Sequence, residues 1–214
     1  MINKKIKVER VPTGPWKENC YLVYDEHQDT LLIDPGSEPL IIDEIIQAKN
    51  LKILAILNTH GHFDHIGAVD FFQKKYNAKF YLHSSDSKLL KSANLYMKIF
   101  QGDEPIKIPE VDEFIVNFDR VYQFKNFQVS FIETPGHTEG SLCIKIGNNL
   151  FSGDTLLKNA IGRTDLPGGN KELLIRSLSK LVKLPKDLIL YPGHGKSTTI
   201  AEEKKNIMIH IEKE

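Results

Sequence analysis

Apolar runs of strand length, each stopped by a polar turn, dominate the first half of the chain. KIKVERV (Lys5–Val11), CYLVYD (Cys20–Asp25) and TLLID (Thr30–Asp34) read as strands, with the polar connection DEHQD between the last two. DPGS stops the third strand, and a helix follows with its stripe on Ile41, Ile42, Ile45 and Ile46. KILAIL (Lys52–Leu57) is apolar without alternation, the pattern of a strand buried on both faces under helices. After the polar turn NTHGHFDHIG, AVDFFQKKY predicts a helix with Val69, Phe72 and Tyr76 on one side, and KFYLH (Lys79–His83) a further strand.

From Ser84 to Val111 the periodicity weakens, with one helix predicted around SANLYMKIF. This stretch, residues 84–111, reads as an insertion that shapes a pocket rim. The second half repeats the style of the first. DRVYQF, FQVSFIET, SLCIKIG and NLFSG read as strands, and KELLIRSLSKLVKL as a helix with Leu174, Leu178 and Leu181 inward. DLILYPG is a last strand and TIAEEKKNIMIHIE a last helix. This order predicts an α/β domain over residues 1–214, two mixed sheets packed together with helices outside.

Composition narrows the picture. Hydrophobic residues make up 41% and charged residues 26% of 214, as in a globular protein long enough to bury a core. Lys plus Arg and Asp plus Glu number 28 each, so the chain is not built mainly to grip nucleic acid. No apolar run approaches the ~18 residues of a membrane span and the N-terminus lacks a secretory-type core, so a cytoplasmic protein is expected. Cys20 and Cys143 form no Cys-x-x-Cys pair or disulfide framework and read as buried small hydrophobes.

The chemistry lies in the histidines. Three of the eight fall within His60-Gly-His62-Phe-Asp64-His65, directly after the buried run KILAIL. A lone histidine after a strand is ordinarily a surface or core group; a cluster of this density is not. In an extended turn His60 and His62 project alike and can hold one ion, while Asp64 and His65 reach a second. His137 (TPGHT), Asp154 (SGDT) and His194 (YPGHG) each follow a predicted strand, and a sheet brings such ends to one edge. Imidazole and carboxylate suit zinc, and with no cysteine in the cluster a closed structural zinc site is disfavoured. Two ions need a bridging ligand. A carboxylate can bridge and a neutral imidazole cannot, leaving Asp154 or Asp64. His27 and His210 read as solvated, and His83 as a supporting or surface group.

At these residues the sequence resembles the metallo-β-lactamase superfamily over nearly its whole length. His-x-His-x-Asp-His stands as His60, His62, Asp64 and His65, followed in the family's order by His137, Asp154 and His194; Asp34 matches an acidic position that supports the metal loop. The resemblance implies a four-layer αβ/βα sandwich and two divalent metal ions, zinc by preference with iron or manganese as alternatives. It allots His60, His62 and His137 to one ion and Asp64, His65 and His194 to the other, with Asp154 bridging. True β-lactamases have a cysteine where Asp154 stands, and flavodiiron proteins a glutamate where His62 stands.

Within the superfamily, NCYLVYD, THGHFDHIGAV, TPGHTEGSLC, SGDTLL, IGRTDLPGG and YPGHG are similar to short glyoxalase II-like hydrolases. That implies hydrolysis of a small thioester such as S-lactoylglutathione by a metal-bound hydroxide, with Asp64 and Asp154 orienting the nucleophile. Metals lower the pKa of a bound water from about 15.7 to roughly 7. Two features depart from the family: only twenty residues follow His194, and Gly195-Lys196 stand where a tyrosine is usual. Arg163, with Lys158 or Lys196, is then the expected contact for glutathione. The rival readings are a mononuclear iron persulfide dioxygenase, a nuclease of the same superfamily, and a non-catalytic metal-binding scaffold. The expected partner is a small thioester, with neither nucleic acid nor membrane.

Overall fold

The computed structural model describes residues 6–100 and 105–212. Lys5 of the first predicted strand and residues 101–104 of the predicted insertion lie outside the described residues. The first sheet has six strands in the order β1 (Lys7–Thr13), β2 (Glu18–Tyr24), β3 (Asp29–Ile33), β4 (Lys52–Leu57), β5 (Lys79–His83) and β6 (Glu113–Ile115). Its first three strands run antiparallel, and β3 through β6 run parallel. The parallel connections carry helices α1 (Pro39–Ala48), α2 (Phe63–Ile66), α3 (Val69–Tyr76), α4 (Ser87–Lys91) and α5 (Ala93–Phe100).

The second sheet is built from β7 (Tyr122–Phe124), β8 (Phe127–Glu133), β9 (Leu142–Ile146), β10 (Asn149–Gly153), β13 (Ile189–Pro192) and β14 (Thr198–Thr199). Its spatial order is β14-β13-β10-β9-β8-β7, and its one parallel pair is β10 with β13. A two-stranded ribbon, β11 (Leu156–Leu157) and β12 (Ala160–Ile161), and helix α6 (Lys171–Leu181) lie between β10 and β13; α7 (Ile200–Ile211) ends the chain. No helix among the described residues is long and apolar enough to cross a membrane.

Strand alternation creates the layers. Tyr21, Val23, Leu31, Ile33 and Leu57 point from the first sheet into a core shared with Val129, Phe131, Ile144 and Phe151 of the second. The intervening residues Leu22, Leu32 and Ile56 face the other way, onto Ile42, Ile46 and Phe72 of α1 and α3. Cys143, Leu150 and Leu190 likewise face Leu174, Leu178 and Ile207 of α6 and α7. The result is the predicted αβ/βα sandwich. Side-chain caps fix where the last two helices begin: Asn170 accepts from the Leu173 amide at 3.0 Å, and Thr199 from the Glu202 amide at 3.1 Å. Cys20 and Cys143 are buried free thiols.

Sheet closure depends on the inter-sheet core, where Leu31 is fully buried at the centre of β3. Leu31→Ala should lower the free energy of unfolding by about 3 kcal/mol in a urea titration. A loss below about 1 kcal/mol would mean that this core layer collapses onto the gap.

Candidate metal centre

β3, β4, β8, β10 and β13 all end on the same edge of the sandwich, and each hands one or more polar residues to it. At the end of β3, Asp34 adopts a left-handed backbone with φ 47°. Its Oδ1 accepts from the Thr59 amide at 2.7 Å, and its Oδ2 from the Thr59 hydroxyl at 2.7 Å and His65 Nδ1 at 3.0 Å. Asn58 donates to the His65 carbonyl at 2.7 Å, which ties α2 back onto the end of β4. Gly36 of DPGS permits this packing, since a Cβ there would sit 1.7 Å from the Asp64 carbonyl. Gly193 does the same beyond β13, where a Cβ would meet Asp154 Oδ1 at 2.2 Å and His65 Cε1 at 2.7 Å.

Hydrogen bonds on the outer side fix the tautomers. His60 Nδ1 lies 3.0 Å from the Thr59 hydroxyl oxygen, which already donates to Asp34, so the imidazole is the donor. His65 Nδ1 donates to Asp34, His137 Nδ1 to the Arg163 carbonyl at 2.8 Å, and His194 Nδ1 to the Trp16 carbonyl at 3.0 Å. Each of these four rings thereby turns Nε2 inward. His62 differs, facing His137 Nε2 through Nδ1 at 3.0 Å.

The inward atoms converge in two groups. His60, His62 and His137 form one and Asp64, His65 and His194 the other; within each group the ligand atoms lie within 4.8 Å of one another. Asp154 stands between them. Its carboxylate is 3.6 Å from His137 Nε2 on one side, and 3.8 Å from His65 Nε2 and 3.6 Å from His194 Nε2 on the other. Asp34 also lies near His60 and His65, but its oxygens are spent on the outer side of those residues, in a supporting position.

The donors fit metal ions by a direct criterion. His60 Nε2, His65 Nε2 and Asp154 Oδ1 are buried and lack any hydrogen-bond partner, although buried polar atoms are nearly always satisfied. All three belong to the inward set, and cations held by the two groups would satisfy them. Electrostatics point the same way. Burial, reinforced by the neighbouring imidazoles, holds His60 well below the usual histidine range and His62 down to about 3, so both offer neutral nitrogens. Burial alone would push His65 down and Asp64 up. Instead Asp64, Asp34 and Glu18 raise His65 well above its usual value, while His65 and His194 hold Asp64 ionised.

The remaining sequence candidates lie elsewhere. Arg163 lines the cavity above the site, with its guanidinium forked onto Asp165 at 2.8 and 2.7 Å. Lys158 and Lys196 are exposed and do not line that cavity. His83 is buried against Phe118 and accepts from the Ser85 amide at 3.0 Å, apart from both groups. His27 is exposed and His210 half-buried.

Residues 13–194 match the model of the metallo-beta-lactamase superfamily. The chain belongs to that superfamily. Its members bind divalent metals, often two, and the histidine-rich groups here are compatible with that. The chain is 37% identical over 203 residues to the probable metallo-hydrolase YqgX of Bacillus subtilis (93% of this chain, 95% of that one). It is 30% identical over 212 residues to the hydroxyacylglutathione hydrolase GloC of Haemophilus influenzae (94% and 96%). Among solved structures it superposes on the B3 metallo-beta-lactamase BLEG-1 with a TM-score of 0.88 and 35% identity (93% and 97% covered). It superposes on TTHA1623, in a di-iron-bound form, with a TM-score of 0.84 and 36% identity (93% and 98%).

Two residues that sequence reading missed hold this superfamily site together. Asp86, inside the stretch read as an insertion, is buried and accepts from the Gly61 amide at 2.8 Å, the Thr138 hydroxyl at 2.9 Å and the Gly140 amide at 2.7 Å. It clamps the His60–His62 turn to the His137 loop. Asn19 donates to the Pro192 and Gly195 carbonyls, both at 2.9 Å, and so positions the His194 loop. Apart from the Thr138 hydroxyl, both act on backbone groups, which have no signature in the sequence.

Asp86→Ala leaves the Gly61 and Gly140 amides unpaired, and should weaken zinc affinity by about ten- to a hundredfold with helix content retained. Competition against a chromophoric chelator measures this, and unchanged affinity would remove Asp86 from the supporting framework. Proton release gives a second check. His65 is raised well above its usual value, and His194 is raised because Asp64 and Asp154 outweigh the downward pull of burial, which favours the protonated rings in metal-free protein. Ligation requires neutral rings. Zinc binding at pH 7 should therefore release protons, tighten as pH rises and show a buffer-dependent enthalpy in calorimetry. A buffer-independent enthalpy contradicts this assignment.

Proposed function

We propose that the chain is a binuclear metal-dependent hydrolase whose substrate is a small thioester, S-lactoylglutathione being one example. The observation that carries this reading is the placement of Asp154 within 3.8 Å of imidazole nitrogens from both ligand groups. In this reading His60, His62 and His137 hold one ion, Asp64, His65 and His194 the other, and Asp154 both. When bound, two such ions make water nucleophilic near neutral pH and polarise a carbonyl oxygen. The protein's part is positioning. The outer hydrogen bonds to Thr59, Asp34, Arg163 and Trp16 hold the rings in register, and the Asp64 and Asp154 carboxylates accept from and orient the attacking water. A thiolate is a weak base and leaves without a strong general acid. The likeness to the Haemophilus hydroxyacylglutathione hydrolase supports a thioester, and the di-iron relative makes iron the alternative to zinc.

A second reading, β-lactam hydrolysis, draws on the likeness to the B3 enzyme. One experiment separates these. Zinc-reconstituted protein should carry about two ions per chain and turn over S-lactoylglutathione faster than a β-lactam. Asp154→Ala should retain the fold, lose one ion and lose about a hundredfold or more in kcat/KM. Wild-type turnover in that variant ends the bridging scheme. A fixed content of one iron with oxygen uptake replaces hydrolysis by a dioxygenase activity.

A further inference from the structure

The ligand groups form the floor of a cavity of about 320 Å³. Its walls are apolar. On one side stand Leu89, Tyr96 and Phe100, presented by α4 and α5. On the other stand Leu157 and Ile161 from the β11-β12 ribbon, followed by Leu166. Trp16 and Phe100, residues that are 46% and 41% exposed, also line it, so aromatic side chains are available at the cavity for a ligand to cover.

Cations are scarce there. Apart from the histidines, Arg163 is the one basic residue among the described lining residues, and Asp165 takes the Nε–Nη2 edge of its guanidinium and offsets its charge. The four residues after Phe100 read Gln-Gly-Asp-Glu and carry no positive charge. An adjoining cavity of about 130 Å³ includes Lys88, but also Asp86 and Glu139. Glutathione carries two carboxylates and needs positioned cations to bind well. The larger cavity is also near the lower limit of ligand pockets, which begin at about 300 Å³.

Resting on the hydrolase reading above, we infer that the preferred substrate is a thioester of an apolar acyl group on a small uncharged thiol, recognised by the aromatic and aliphatic walls and not through glutathione carboxylates. The acyl chain lies between α5 and the β11-β12 ribbon, with its carbonyl toward the ligand groups. In the reaction the oxygen of water bonds to the acyl carbon, and the carbon–sulfur bond breaks with its electron pair going to sulfur. The thiol takes one of the protons and the other is released, leaving a carboxylate.

Thioethers test the recognition without turnover, because they have no bond to hydrolyse. Trp16 is the sole tryptophan of the chain and lines the cavity, so its emission reports binding. Metal-loaded protein is titrated with N-acetyl-S-alkylcysteamines from ethyl to hexyl and with the matching S-alkylglutathiones. Affinity should rise about threefold per methylene in both series, somewhat less than the roughly fourfold of full burial. At equal alkyl length the two series should agree within about threefold, since no gain from charge is expected. In parallel, kcat/KM for S-acyl-N-acetylcysteamines should climb with chain length from acetyl to hexanoyl. Leu166→Gln, at a partly exposed wall position, should flatten both trends. Affinity that ignores alkyl length, or that is tenfold or more better for the glutathione series, overturns the inference. Length-dependent binding without turnover of any thioester supports the apolar site and refutes thioester hydrolysis instead.

Discussion

An imidazole has two nitrogens, and the site works only if the protein decides which one faces inward. Four rings are committed by an outer acceptor: His60 to the Thr59 hydroxyl, His65 to Asp34, His137 to the Arg163 carbonyl and His194 to the Trp16 carbonyl. Asp34 is the hub, since one carboxylate orders Thr59, and through it His60, as well as His65. The acceptors come from strand ends of the first sheet, from beyond the β11-β12 ribbon and from the β1-β2 hairpin, while His137 and His194 follow strands of the second sheet. The two halves must therefore close on each other before the inward atoms converge. The inter-sheet core around Leu31 and Phe131 is thus part of the site's geometry, since a shift of one sheet against the other would separate His65 from His137.

Much of this was legible in the sequence, for identifiable reasons. KILAIL lies in a strand with helices on one face and a second sheet on the other, so burial on both faces left an unbroken apolar run. The histidines could be placed because each follows such a run and a sheet aligns strand ends. What escaped was short or indirect. β6, β11, β12 and β14 are two or three residues long, too short to show a period. α5 was foreseen around SANLYMKIF although its apolar residues divide, Ala93 and Met97 to the core and Tyr96 and Phe100 to the cavity, which blurs the helical stripe. Asp86 and Asn19 act mainly through backbone amides and carbonyls, so their roles leave no pattern of partner side chains, although Asn19 opens the NCYLVYD stretch.

Charge links the ligand set to the apolar walls. Asp34, Asp64 and Asp154 bring three carboxylates to or beside the centre. Glu18, buried beside His65, is a fourth, and burial drives it well above the usual carboxylate range despite the opposing pull of His65. Two divalent cations held there would set their positive charge beside these carboxylates, at the floor of the cavity. A neutral thioester gains little from that charge on binding, whereas the reacting carbonyl gains as negative charge builds on its oxygen. Interactions stronger in the transition state than in the ground state are those that raise kcat. Neutral walls suit that division: they bind the unreactive part of the substrate by area alone, and leave the electrostatic gain to the atoms that change charge.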